Sequence, residues 1–178
     1  MYRNIFFCAL LVIALGIQPL KGQSLPKMKP LSAEEKVQVV EFHNKIRAEV
    51  GMPPVEWDDD IAKFAQEWAD HLAKTDKFEH RPRKGPFVQL YGENLAGNQS
   101  IIGACESWYS EKKDLTPQDW NSGNSWFKSG HYTQMIWHSS RKIGMGVAKG
   151  KRWTIYVCNY SPSGNMMGET PLGVKVRR

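Results

Sequence analysis

His131 heads the run Gly130-His131-Tyr132-Thr133-Gln134-Met135-Ile136-Trp137, directly behind a glycine and two residues behind Ser129. Glycine lets the backbone turn sharply and the residues after it carry reasonable helix propensity, so the pattern predicts a helix start with the imidazole held in one direction. A histidine held that way can bind a metal, move a proton or close a hydrogen-bonded network. Glu111 lies three residues after Trp108 and seven after Ala104, at the border of a buried helical face, where a carboxylate needs a partner. His43 falls on an apolar stripe with Asn44 and Arg47 beside it and reads as a structural hydrogen-bonding group, whereas His71 and His138 read as surface residues. Hydrolytic signatures are missing: there is no Gly-x-Ser-x-Gly elbow and no His-Glu-x-x-His zinc helix. Cys105 falls on a helix face and Cys158 in a strand, so neither is a convincing nucleophile. An oxidising compartment would allow these two one bridge, and two buried thiols are the equal alternative.

The elements that must position these groups follow from hydrophobic periodicity. Ser32 stands three residues before Glu35, a capping-box start for a helix running to about Val50, with Val39, Phe42, His43, Ile46 and Val50 inward. Gly51 and Pro53-Pro54 end it. A second helix opens near Asp58-Asp59 and carries Ile61, Phe64, Ala65, Trp68, Ala69 and Leu72 at helical spacing, the cleanest amphipathic pattern in the chain. Residues 75–91 are polar and irregular, Gly92-Glu93-Asn94-Leu95 begins a short strand, and a third helix runs from Ile101 to about Lys112. After a long loop over 113–129 and the helix at 130–137, residues 142–160 read as a hairpin turning near Gly150. Helices around a small, largely antiparallel sheet make an α+β fold, a three-layer arrangement being one form of it.

The chain of 178 residues is long enough for one domain with a sizeable core. Its first 22 residues have the layout of a secretory signal peptide: Arg3, an apolar run from Ile5 to Leu15, then Gly16 and Gly22 as cleavage points, of which Gly22 is preferred. Residues 23–31 follow as an extended leader. Loss of 1–22 removes Arg3 and Lys21 and no acid, taking the net charge from +6 to +4. The basic residues are interleaved with acids and form no clustered stripe, which argues against nucleic acid as a partner. The expected location is extracellular.

Five segments in order resemble signatures of the CAP superfamily, the cysteine-rich secretory, antigen 5 and pathogenesis-related class 1 proteins. They are His43-Asn44-Lys45-Ile46-Arg47, Gly92-Glu93-Asn94-Leu95, Trp108-Tyr109-Ser110-Glu111, the 130–137 run, and Tyr156-Val157-Cys158-Asn159-Tyr160-Ser161-Pro162-Ser163-Gly164-Asn165. The resemblance implies an α-β-α sandwich over residues 32–170, with 171–178 as a tail. It implies a cleft tetrad of His80, Glu93, Glu111 and His131, in which the histidines could hold Zn²⁺ weakly and reversibly and the glutamates orient them. Glu93 has the alternative of accepting from backbone amides near Asn94. Two departures stand out: Arg81 follows His80 where the family has a small polar residue, and Met145 occupies the position of the cysteine that usually pairs with Cys158. No cysteine-rich C-terminal extension follows, which disfavours channel blocking.

Family members bind sterols, fatty acids or other lipids, or act as defence and venom proteins. The loop carrying Phe78, Phe87, Val88, Leu90 and Tyr91 is the candidate lipid-contact or peripheral membrane surface, and packing of the loop onto the domain is the equal alternative. Trp120, Trp126 and Phe127 raise the same choice. The expected function is binding of a lipid, a sterol or an extracellular protein. The rival readings are an extracellular protease-like hydrolase in the same cleft, and a defence or signalling ligand acting through its surface.

Overall fold

The computed structural model describes residues 29–116 and 128–173. The expected signal peptide, most of the leader, the tail beyond 173, and Trp120, Trp126 and Phe127 lie outside the described residues. Ser32 caps α1 (Ala33–Glu49) with a full capping box: its hydroxyl accepts from the Glu35 amide, and the Glu35 carboxylate accepts from the Ser32 amide. Asp58 caps α2 (Asp59–Thr75) through the amides of Asp60 and Ile61. Between them the structure adds a two-residue strand, β1 (Glu56–Trp57), which pairs parallel with a later strand. Two residues are too few for a periodic signal, so sequence pattern alone passes over it.

The remaining elements are β2 (Gly92–Gly97), α3 (Ile101–Ser110) with a 3₁₀ turn at Glu111–Asp114, α4 (Gly130–Met135), β3 (Lys142–Lys149) and β4 (Thr154–Ser161). They form a sheet of order β1-β3-β4-β2, antiparallel except for β1 against β3. The sheet is covered on both faces, so Ile155–Tyr160 is buried without interruption. Alternation along the strands divides the core. Ile143, Met145, Val147, Tyr156, Cys158 and Tyr160 pack with Val39, Ile46 and Trp108 of α1 and α3. On the other face, Leu95, Ala148, Ile155 and Val157 pack with Ala65, Trp68, Ala69 and Leu72 of α2. That is the three-layer α-β-α arrangement.

Small residues on β3 set how closely α2 approaches. A Cβ at Gly144 would stand 2.1 Å from the Ala62 amide nitrogen, and one at Gly146 would stand 2.4 Å from Gln66 Cα. With the helix that close, the Gln66 amide reaches the backbone of Val147, donating to its carbonyl at 2.8 Å and accepting from its N–H at 3.0 Å. It thereby covers the edge of β3 beyond the reach of β1.

Of the two states open to Cys105 and Cys158, the structure has free, fully buried thiols. Cys158 lies opposite Met145 in the β3–β4 register, so the strand position facing it offers a thioether where a disulfide partner would be needed. Burial pushes the Cys158 thiol up to about 12 and raises Cys105 as well, which makes both unreactive.

Candidate functional site

Three side chains of α1 build the floor. Arg47, fully buried, donates to four backbone carbonyls: Pro53 at 2.7 Å, Met135 at 2.9 Å, Trp137 at 3.0 Å and Ser140 at 2.9 Å. Its cation therefore holds the C-terminal end of α4, where the helix dipole favours positive charge. Asn44 pairs with both backbone groups of Val55. His43 donates from Nδ1 to the Val39 carbonyl at 2.8 Å, which leaves Nε2 to accept from the Tyr160 hydroxyl at 2.9 Å. Burial lowers its pKa to about 4, so the ring is neutral. Tyr160 in turn accepts from Asn94 Nδ2, which also donates to the His131 carbonyl at 3.0 Å. His43 is thus the structural group its position suggests, and it ties α1 to the start of α4.

The start of α4 is held from two other directions. Ser129 makes no side-chain cap, and Glu111 from the 3₁₀ turn takes that place. Its Oε2 accepts from the His131 amide at 2.9 Å and the Tyr132 amide at 3.3 Å, while Oε1 accepts from His131 Nδ1 at 2.6 Å. The late strand-and-turn segment supplies Asn165, which donates to the Gly130 carbonyl and accepts from the Thr133 hydroxyl. Gly92 and Gly164 close on Gln134 from both sides, since a Cβ at either would come within 2.6 Å of its amide group. The separate motifs are therefore one assembly around a six-residue helix. Trp108 lies nearly parallel to the His131 ring, 6.4 Å away.

The other pair forms across the loop before β2. His80 Nδ1 donates to Glu93 Oε1 at 2.9 Å, and the same oxygen accepts from the Arg81 amide at 3.0 Å. Glu93's side chain is fully buried while His80 is more than half exposed. The amide that Glu93 engages belongs to Arg81, not to the residues near Asn94. Arg81 explains why a large cation is tolerated after His80. It is buried, its guanidinium sits 3.6 Å from the Phe64 ring centre and near Trp68, and it donates to the Phe64 carbonyl. Phe87 packs on Trp68 and Tyr91 packs edge-on against Phe64, so half of the aromatic loop is folded onto α2. Phe78, Val88 and Leu90 stay exposed. His71 is not a plain surface residue: it stacks on Trp68 at 4.9 Å and meets Phe87 at 4.5 Å. His138 is likewise half-buried and pairs with Glu169.

The tetrad is thus two histidine–carboxylate pairs. Side chains alternate along β2, so Glu93 faces the α2 layer while Asn94 reaches α4 on the opposite face. Among the described residues no group of three or more His, Cys, Asp or Glu side chains is arranged to hold a metal ion. In each pair Nδ1 is engaged by a carboxylate, and among the described residues neither Nε2 has a hydrogen-bond partner.

The family model for the cysteine-rich secretory protein (CAP) family matches residues 40–160, a span that holds both pairs and the first half of the late segment. The chain belongs to this family. It is 34% identical over 196 residues to peptidase inhibitor 15-A of Danio rerio, covering 91% of this chain and 73% of the relative. It is 35% identical over 147 residues to pathogenesis-related protein 1 of Arabidopsis thaliana, covering 80% and 86%. Among solved structures, NaASP2 superposes with a TM-score of 0.70 at 24% identity, over 85% of this chain and 90% of that one, which supports the fold.

Proposed function

We propose that this CAP protein is exported after removal of residues 1–22 and acts by binding, holding a divalent metal through His80 and His131 and taking a lipid or an extracellular partner. The observation that carries the metal reading is the orientation of the two rings. A carboxylate on Nδ1 fixes the tautomer that leaves Nε2 as a lone-pair donor, the arrangement found behind metal-bound histidines. The donor chemistry fits zinc, which would supply a Lewis-acidic anchor for an oxygen of the ligand. Two imidazoles give only two strong ligands, so the metal would exchange readily. NaASP2 was solved with Zn²⁺, and peptidase inhibitor, venom allergen and pathogenesis-related relatives are consistent with extracellular work. Both cysteines are buried with raised pKa values, which disfavours a cysteine nucleophile in the rival hydrolytic reading.

Calorimetric titration of the protein with zinc tests the reading. One weak site per chain is expected, weakened at least about tenfold by His80→Ala and by His131→Ala separately. Zinc binding unchanged in both variants would overturn it.

A further inference from the structure

The sequence holds two Asn-x-Ser acceptor sequons for N-linked glycan, Asn98-Gln99-Ser100 and Asn159-Tyr160-Ser161, and the fold treats them oppositely. Asn159 lies inside β4, fully buried, and its Nδ2 donates to the Gly92 carbonyl at 3.0 Å. A sugar on that nitrogen would force a large polar group into the packed interior, so a chain carrying one could not close this fold. Asn98 stands in the exposed turn between β2 and α3, at φ 59°, a left-handed conformation that asparagine tolerates better than most residues. Its N–H donates to the Thr154 carbonyl at 2.8 Å, and its Oδ1 accepts from the Thr154 N–H at 2.9 Å. Two more polar groups of the turn are engaged: the Gln99 carbonyl accepts from the Tyr156 hydroxyl, and the Ser100 hydroxyl accepts from the Gly103 N–H as the cap of α3. Asn98 Nδ2, by contrast, makes no hydrogen bond among the described residues. An amide held by its oxygen leaves its nitrogen open to a substituent with the native bonds of the turn kept.

An apolar surface lies beside this nitrogen. The rings of Phe78 and Trp153 are 5.6 Å apart, and both close on Gly97, where a Cβ would stand 3.2 Å from Phe78 and 3.3 Å from Trp153. Asn98 follows Gly97, and its side chain is bonded to the residue after Trp153. Phe78 nonetheless remains 45% exposed. A ring face left open in this way suits the C–H face of a sugar.

We infer that Asn98, and not Asn159, carries an N-linked glycan whose first sugar covers Phe78. The donor is an oligosaccharide on a polyprenyl diphosphate: Nδ2 bonds to the anomeric carbon and loses one proton, and the diphosphate leaves with the electron pair of the broken C–O bond. The inference rests on the export proposed above and needs neither the metal nor a lipid. The test is expression of the full chain in insect cells, with its own residues 1–22 and, in parallel, behind a heterologous signal sequence. Protein from medium and cells is treated with peptide N-glycosidase in ¹⁸O water and mapped by mass spectrometry. One glycan per chain is expected, with the label at position 98 and none at 159. Asn98→Asp, which keeps the Oδ1 acceptor and tolerates the left-handed turn, should fold without glycan, whereas Ser100→Thr, which keeps both sequon and cap, should retain it. Chains behind the heterologous signal with no label at 98, or with one at 159, would overturn the assignment. If those chains are labelled at 98 while chains with their own residues 1–22 stay in the cell unlabelled, the export reading fails and the site stands. The glycosylated protein should melt at a higher temperature than its enzyme-treated form, and Phe78→Ser should abolish the difference; equal melting temperatures would overturn the contact with Phe78.

Discussion

At the residue scale, His43 on one hand and His80 and His131 on the other do two different jobs that their neighbours decide. His43 is sealed between a carbonyl and a tyrosine hydroxyl, so protonating it means breaking the fold. Its folded pKa of about 4 lies below the ordinary 6.5, so between those values the unfolded chain binds the extra proton. The stability this contributes is complete above pH 6.5 and is lost as pH falls toward 4. Each tenfold change in proton affinity is worth ~1.4 kcal/mol, which puts the loss at up to about 3 kcal/mol. Urea unfolding at pH 7, 5.5 and 4.5 should show this decline, and His43→Gln should be less stable at pH 7 but flatter with pH. His80 and His131, by contrast, keep one nitrogen engaged and one open. The helical stripe of Val39, His43 and Ile46 made His43's role legible from sequence. Arg47's was not, because three of its four partners are carbonyls some ninety residues away that no local pattern announces.

At the element scale, the motifs are contact surfaces read end to end. The alternation of Ile143, Met145 and Val147 with small residues is visible in sequence, but its purpose appears only when α2 is seen lying on Gly144 and Gly146. Gly146→Ala should force the helix off the sheet and cost about 1–3 kcal/mol, read as a lower urea midpoint with the slope unchanged. A loss below 0.5 kcal/mol would mean that α2 can shift freely. The long helices and the hairpin were legible because their periods persist for two or more turns or a full strand. β1 was not, having two residues, and neither was the 3₁₀ turn that aims Glu111. There the decisive fact is a carboxylate capping a helix from outside it, a nonlocal bond that replaces the missing Ser129 cap.

At the scale of the whole molecule, the sandwich holds together without a disulfide, through two cores on either side of one sheet. Its consequence for function is geometric: β2 presents Glu93 to His80 from one face and Asn94 to the His131 carbonyl from the other, so the placing of both histidines depends on the assembled layers. The family resemblance made the four residues legible, while their division into two carboxylate-oriented pairs required the fold. The most direct test of the central claim is side-chain ¹⁵N NMR of the histidines above neutral pH, before and after zinc. The account predicts that His80 and His131 are both the Nδ1–H tautomer without metal and that zinc shifts the Nε2 resonance of both, leaving His43 unmoved. An Nε2–H tautomer at either residue, or zinc shifts confined to His71 and His138, would contradict it.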